Sequence, residues 1–101
     1  MISKFLNGLV GAIYKILPLK EDENSYLSDY LDSLVVQLKG ALETYPELAS
    51  NVRYISVINS IQYFRKNDYT VKQCKREVFK CIKDIEKIQK EGRSYNLEEI
   101  K

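Results

Sequence analysis

Apolar residues recur along this chain at spacings of three and four, and polar breakers divide them into four helical segments. In the first, about residues 2 to 17, Ile2, Leu6, Leu9, Ile13 and Ile16 share one face, and Lys4, Gly8, Gly11 and Lys15 share the opposite one. This segment is predicted to stop before Pro18, since proline disfavours helical geometry in the residue it follows. The connection PLKEDENS is polar, and its acids suit the start of a following helix. The second segment covers about residues 25 to 45, where Leu27, Leu31, Leu34, Leu38, Ala41 and Tyr45 form a heptad seam that Tyr30, Val35 and Leu42 widen. It ends near Tyr45 because Pro46 follows, and PELASN is a connection or a short helical turn.

The third segment, about residues 50 to 66, carries Val52, Tyr54, Ile55, Val57, Ile58, Ile61, Tyr63 and Phe64. Its β-branched residues invite a strand assignment, but the doublets Tyr54-Ile55 and Val57-Ile58 break the alternation a strand needs and fit a 3.6-residue period. Thr70 and Gln73 match a capping box ahead of the fourth segment, with Asp68 as a competing cap. That segment runs from about residue 71 to 91, on Val71, Cys74, Val78, Cys81, Ile85 and Ile88, and is predicted to stop at Gly92. Helices of about 16 to 22 residues with short connections predict an all-α fold, an antiparallel up-down four-helix bundle over residues 1–92. The last residues, 93–101, form a loosely ordered tail with Tyr95, Leu97 and Ile100 as weak apolar anchors.

Composition narrows the chemistry. A length of 101 residues suits one domain with its own core, and 45% apolar with 30% charged residues is ordinary for a globular protein. Eight tyrosines without a tryptophan suit the rim of a core, ring inside and hydroxyl wet. Histidine is absent, which removes the commonest general base and metal ligand. Cys74 and Cys81 lie on one helix face about 10 Å apart along the axis, too far to bridge, and two cysteines alone do not make a zinc site. They are expected to be free core thiols in a reducing compartment. Asp29 and Asp32 flank the seam and are expected to face solvent, and no Gly-rich phosphate loop or nucleophile–base pair stands out. These features predict neither an enzyme nor a metal or cofactor site. The N-terminal run is interrupted by Asn7 and Lys15 and lacks a cleavage signature, so it is expected to be an amphipathic helix of a cytoplasmic protein rather than a leader or a span. Surface contact with a membrane is the alternative.

Charge is uneven. Between Lys72 and Arg93 stand eight basic and four acidic residues, against eight basic and ten acidic elsewhere. Lys72, Arg76, Lys80, Lys83, Lys87 and Lys90 follow one another at helical spacing along a single stripe. Three readings fit that stripe. It is a solvated face laced with pairs such as Lys80–Asp84, a docking face for an acidic protein or lipid headgroups, or a nucleic-acid grip. The last is disfavoured, because the four acids dilute the field and no nucleic-acid motif is present.

The stretch YLDSLVVQLKGALETYPELASNVRYISVINSIQYFRKNDYTVKQCKREVFKCI, within about residues 25 to 90, resembles the immunity proteins of pediocin-like bacteriocins, the enterocin A immunity family. It shares a long Leu-rich helix, a proline-containing break, a helix of aromatic and β-branched residues, a short polar turn and a regularly spaced last helix. The resemblance implies a cytosolic protein that protects the producer cell by binding the sugar-transporter complex its bacteriocin uses as receptor, at the inner face of the membrane. It also assigns the choice of toxin to the C-terminal half, here Lys83, Lys87, Lys90, Arg93 and Tyr95. A small regulatory or adaptor bundle, for example phage-encoded and binding a host protein, shares the same physical features.

Overall fold

The computed structural model describes the backbone of residues 2–100 and the side chains of residues 2–91. The described backbone is all-helical: α1 (Ile2–Tyr14), α2 (Ile16–Glu21), α3 (Leu27–Thr44), a 3-10 turn (Pro46–Ser50), α4 (Val52–Lys66) and α5 (Val71–Ile100). Most of the predicted seam residues form the core, but Val71 at the start of α5 is 43% exposed, and Ile2, Leu27 and Tyr45 are only half-buried at its edge. Leu6, Leu9, Ile13 and Ile16 meet Leu31, Leu34, Leu38 and Ala41, with Tyr54, Val57, Ile58, Ile61 and Phe64 of α4 and Cys74, Val78, Cys81, Ile85 and Ile88 of α5.

Two boundaries differ from the expected ones. The first segment does not stop before Pro18; it breaks at Lys15, and Pro18 lies inside α2. The proline ring collides with the carbonyl four residues back, that of Tyr14, so α1 ends there. Pro18 then falls in the first turn of a new helix, where its missing N–H is not needed. The last helix passes through Gly92 to Ile100 instead of stopping. A glycine costs a helix only about 1 kcal/mol relative to alanine, so without a left-handed turn it does not end one. Taken together, α1 and α2 (Ile2–Glu21) are long and apolar enough to cross a membrane by length and composition, contrary to the expectation from Asn7 and Lys15. A core helix and an N-terminal leader meet the same criteria; 22% of this window is buried, including Leu6, Leu9, Ile13 and Ile16 against the other helices.

The ends of the helices explain themselves locally. Asn51 caps α4, its side-chain oxygen accepting from the Tyr54 N–H at 3.1 Å. Thr70 caps α5 reciprocally: its hydroxyl accepts from the Gln73 N–H at 3.1 Å, and the Gln73 amide oxygen accepts from the Thr70 N–H at 2.9 Å. At the end of α2, the Asn24 N–H donates to Leu19 and the Glu23 N–H to Lys20, with Glu23 left-handed at φ 51°. This is a Schellman turn carrying glutamate where glycine is usual.

Cross-helix contacts fix direction and neighbours. The Tyr30 hydroxyl donates to the Ala12 carbonyl at 2.7 Å, joining α3 to α1. Tyr54, fully buried in α4, donates its hydroxyl to the Leu38 carbonyl of α3. Arg65, near the end of α4, pairs with Asp32, near the start of α3, so these two helices run antiparallel. Arg53, at the start of α4, reaches Asp84 and Glu91 far along α5. Gln89 of α5 donates to the Asn7 side chain of α1, and Tyr14 meets Phe79, so α1 and α5 are antiparallel as well.

Candidate binding face on the last helix

The seam of α5 decides which of its residues face outward. With Cys74, Val78, Cys81, Ile85 and Ile88 buried, residues about 180° away on the helix are left in solvent. Lys72, Lys75, Arg76, Lys80, Lys83, Lys87 and Lys90 are all exposed, and among the described residues none of them forms an ion pair. Of the candidate residues, Lys83, Lys87 and Lys90 therefore lie together on one open face. The side chains of Arg93 and Tyr95 lie outside the described residues.

The acids of α5 do not dilute this face as their number suggests. Arg53 of α4 holds Asp84 at 3.8 Å and Glu91 at 3.2 Å, turning both toward the α4 side. The expected Lys80–Asp84 pair is not formed, because Asp84 takes Arg53 instead. Glu77 is half-buried, on the same side of the helix as Asp84 by its spacing of seven. Glu86 remains as the exposed acid without an ion pair among the described residues of α5. Charge is thus sorted around the helix, with the cations on the outer face and Glu77, Asp84 and Glu91 on the side toward α4. The arrangement suits attraction of a negatively charged surface.

Other candidate chemistry is locked in the core. Cys74 and Cys81 are free and buried. Burial pushes each thiol up to about 11, so both stay protonated and inert near neutral pH. Asp29 and Asp32 are exposed, as expected, and Asp32 is taken up by Arg65. Lys20 sits over the Tyr69 ring, 4.3 Å from its centre, at an open concavity of about 360 Å³ that Asn24, Ser28, Arg65 and Asp68 also line. Its walls carry both charge signs and no buried polar group aimed inward, so it presents no evident catalytic arrangement.

Two surface features escape the sequence pattern. Phe79 stands one residue out of phase with the seam and is 41% exposed, meeting Tyr14 edge to face across α1. The outer side of α4, with Val52, Ser56, Asn59 and Tyr63, carries no charge, since residues 54–64 include no Asp, Glu, Lys or Arg. The first could be found only by knowing that α1 lies beside α5. The second is legible as a gap in the charges.

No protein-family model, curated protein or solved structure matches this chain.

Proposed function

We propose that this protein is an antiparallel up-down four-helix bundle that acts by binding, without catalysis or cofactor, as a bacteriocin immunity protein of the enterocin A type. In this reading it is cytosolic, works at the inner face of the membrane, and engages the sugar-transporter complex occupied by the toxin. The bundle is supported by the antiparallel pairings of α1 with α5 and α3 with α4. A binding role is supported by thiols held neutral in the core and by charge gathered on an outer face. The single observation that carries it is the row Lys83, Lys87 and Lys90, exposed and free of ion pairs among the described residues. Arg93 and Tyr95, whose side chains lie outside the described residues, belong to the proposed site through the resemblance alone.

Expression of the chain in a bacteriocin-sensitive strain tests this. Tolerance to a cognate class IIa peptide should rise, and Lys83→Glu with Lys87→Glu should abolish it while leaving the thermal melt unchanged. Absence of protection against every class IIa peptide would sink the reading. The charge-free side of α4 favours a second reading, a regulatory or adaptor bundle whose partner is a soluble protein. Substitution of Asn59 and Tyr63 by Lys would break that partnership and leave toxin tolerance alone.

A further inference from the structure

The seam between α1 and α5 carries an aromatic pair in the middle of the cationic face. Tyr14 is 43% and Phe79 41% exposed, with ring centres 6.0 Å apart and planes at 81°. Around Phe79, Lys75 and Lys83 stand one turn back and one turn forward, and Arg76 lies three residues before it; all three are exposed. Val10, half-buried beside the core, continues the apolar strip on α1.

We propose that this face lies on an anionic lipid surface, with Phe79 and Tyr14 as the apolar anchors and Lys72, Lys75, Arg76 and Lys83 meeting the headgroups. Aromatic rings favour the boundary between headgroups and acyl chains, and lysine stems lie along it with their ammonium groups outward. Charge complementarity fixes the lipid class: the Arg53 pairs draw Asp84 and Glu91 to the α4 side, so that Glu86, seven residues after Phe79, is the one exposed acid of α5 without an ion pair among the described residues, against Lys72, Lys75, Arg76 and Lys83. This inference goes beyond the immunity reading and stands without it.

The test uses the absence of tryptophan from the chain. In the full-length Phe79→Trp protein, the new indole is the only one. Titration with vesicles of phosphatidylcholine and phosphatidylglycerol should shift its emission to the blue, and the shift should vanish in pure phosphatidylcholine. Lys75→Gln with Lys83→Gln should weaken binding by about thirtyfold, and raising the salt should weaken it further. Val52→Trp, on the opposite side, should report no shift under the same vesicles. The proposal is overturned if Phe79→Trp emission is unmoved by anionic vesicles, if the neutral vesicles bind equally well, or if Val52→Trp shifts as much. A shift produced by an acidic soluble peptide but not by vesicles would replace the lipid with a protein partner.

Discussion

Replacing Tyr54 by phenylalanine probes the core at the one point where α4 is tied to α3 by a buried polar bond. The Tyr54 side chain is 0% exposed, and its hydroxyl donates to the Leu38 carbonyl inside the core. Tyr54→Phe keeps the ring and its packing and removes the oxygen alone. Leu38 lies well inside α3, so its carbonyl keeps the bond of its own helical turn and is not orphaned. The loss is then that of one buried hydrogen bond, about 1 kcal/mol, without the larger penalty of an unsatisfied partner. In a domain of this size that is a fall in Tm of about 5 °C, with an unchanged urea m-value. Tyr30→Phe supplies the control: its hydroxyl reaches Ala12 at 2.7 Å, but the residue is only half-buried, and water can replace the lost partner. It should cost about half as much. The reasoning fails if Tyr54→Phe melts with the native protein, or if Tyr30→Phe proves the more damaging of the two.

Glu23 occupies a left-handed position at φ 51°, which costs a non-glycine residue about 1 kcal/mol. Glu23→Gly should therefore raise stability by about 0.5–1 kcal/mol, read as an increase in the urea midpoint. Stability should also fall at alkaline pH. Burial raises Cys74 and Cys81 from 9.0 to about 11, and Tyr54 and Tyr69 from 10.0 to about 12. Below pH 9 both folded and unfolded chains hold these protons and nothing changes. Above it the unfolded chain releases them first, so stability declines with rising pH, by up to about 1.4 kcal/mol per pH unit for each of the buried Cys74, Cys81 and Tyr54 and by less for the half-buried Tyr69. A series of melts from pH 7 to 11 checks this, and Cys74→Ala with Cys81→Ala should move the onset from about pH 9 to about pH 10.

The parts of the fold legible in the sequence are those written in local periodicity. Leu31, Leu34, Leu38 and Ala41, and likewise Cys74, Val78, Cys81, Ile85 and Ile88, recur every three or four residues, and a helix that buries one of them buries the others. The Thr70–Gln73 box was equally visible, because its two partners are three residues apart. Pro18 misled because the rule that ends a helix before proline also allows one to begin around it. Val52, in the apolar run of the third segment, is 82% exposed, since the run is longer than the face the core can take. Ile82, missed by the strict three-four count, is buried on the flank of the seam.

The candidate face was legible only in part. The row of lysines follows from spacing alone. The diversion of Asp84 and Glu91 away from it does not, because that depends on Arg53, 31 and 38 residues earlier in the chain, coming to lie beside them. Phe79 has meaning as a surface residue only once α1 is beside it. Long-range adjacency of this kind has no signature in the pattern of a single segment.

Binding through the cationic face of α5 is best tested by affinity capture of the tagged protein from detergent-solubilised bacterial cells, with and without an added class IIa bacteriocin. Recovery of a sugar-transporter membrane subunit only when toxin is present, and its loss in Lys83→Glu with Lys87→Glu, is the predicted result. Recovery of a soluble protein in equal amount with or without toxin, unaffected by those two substitutions, would contradict it.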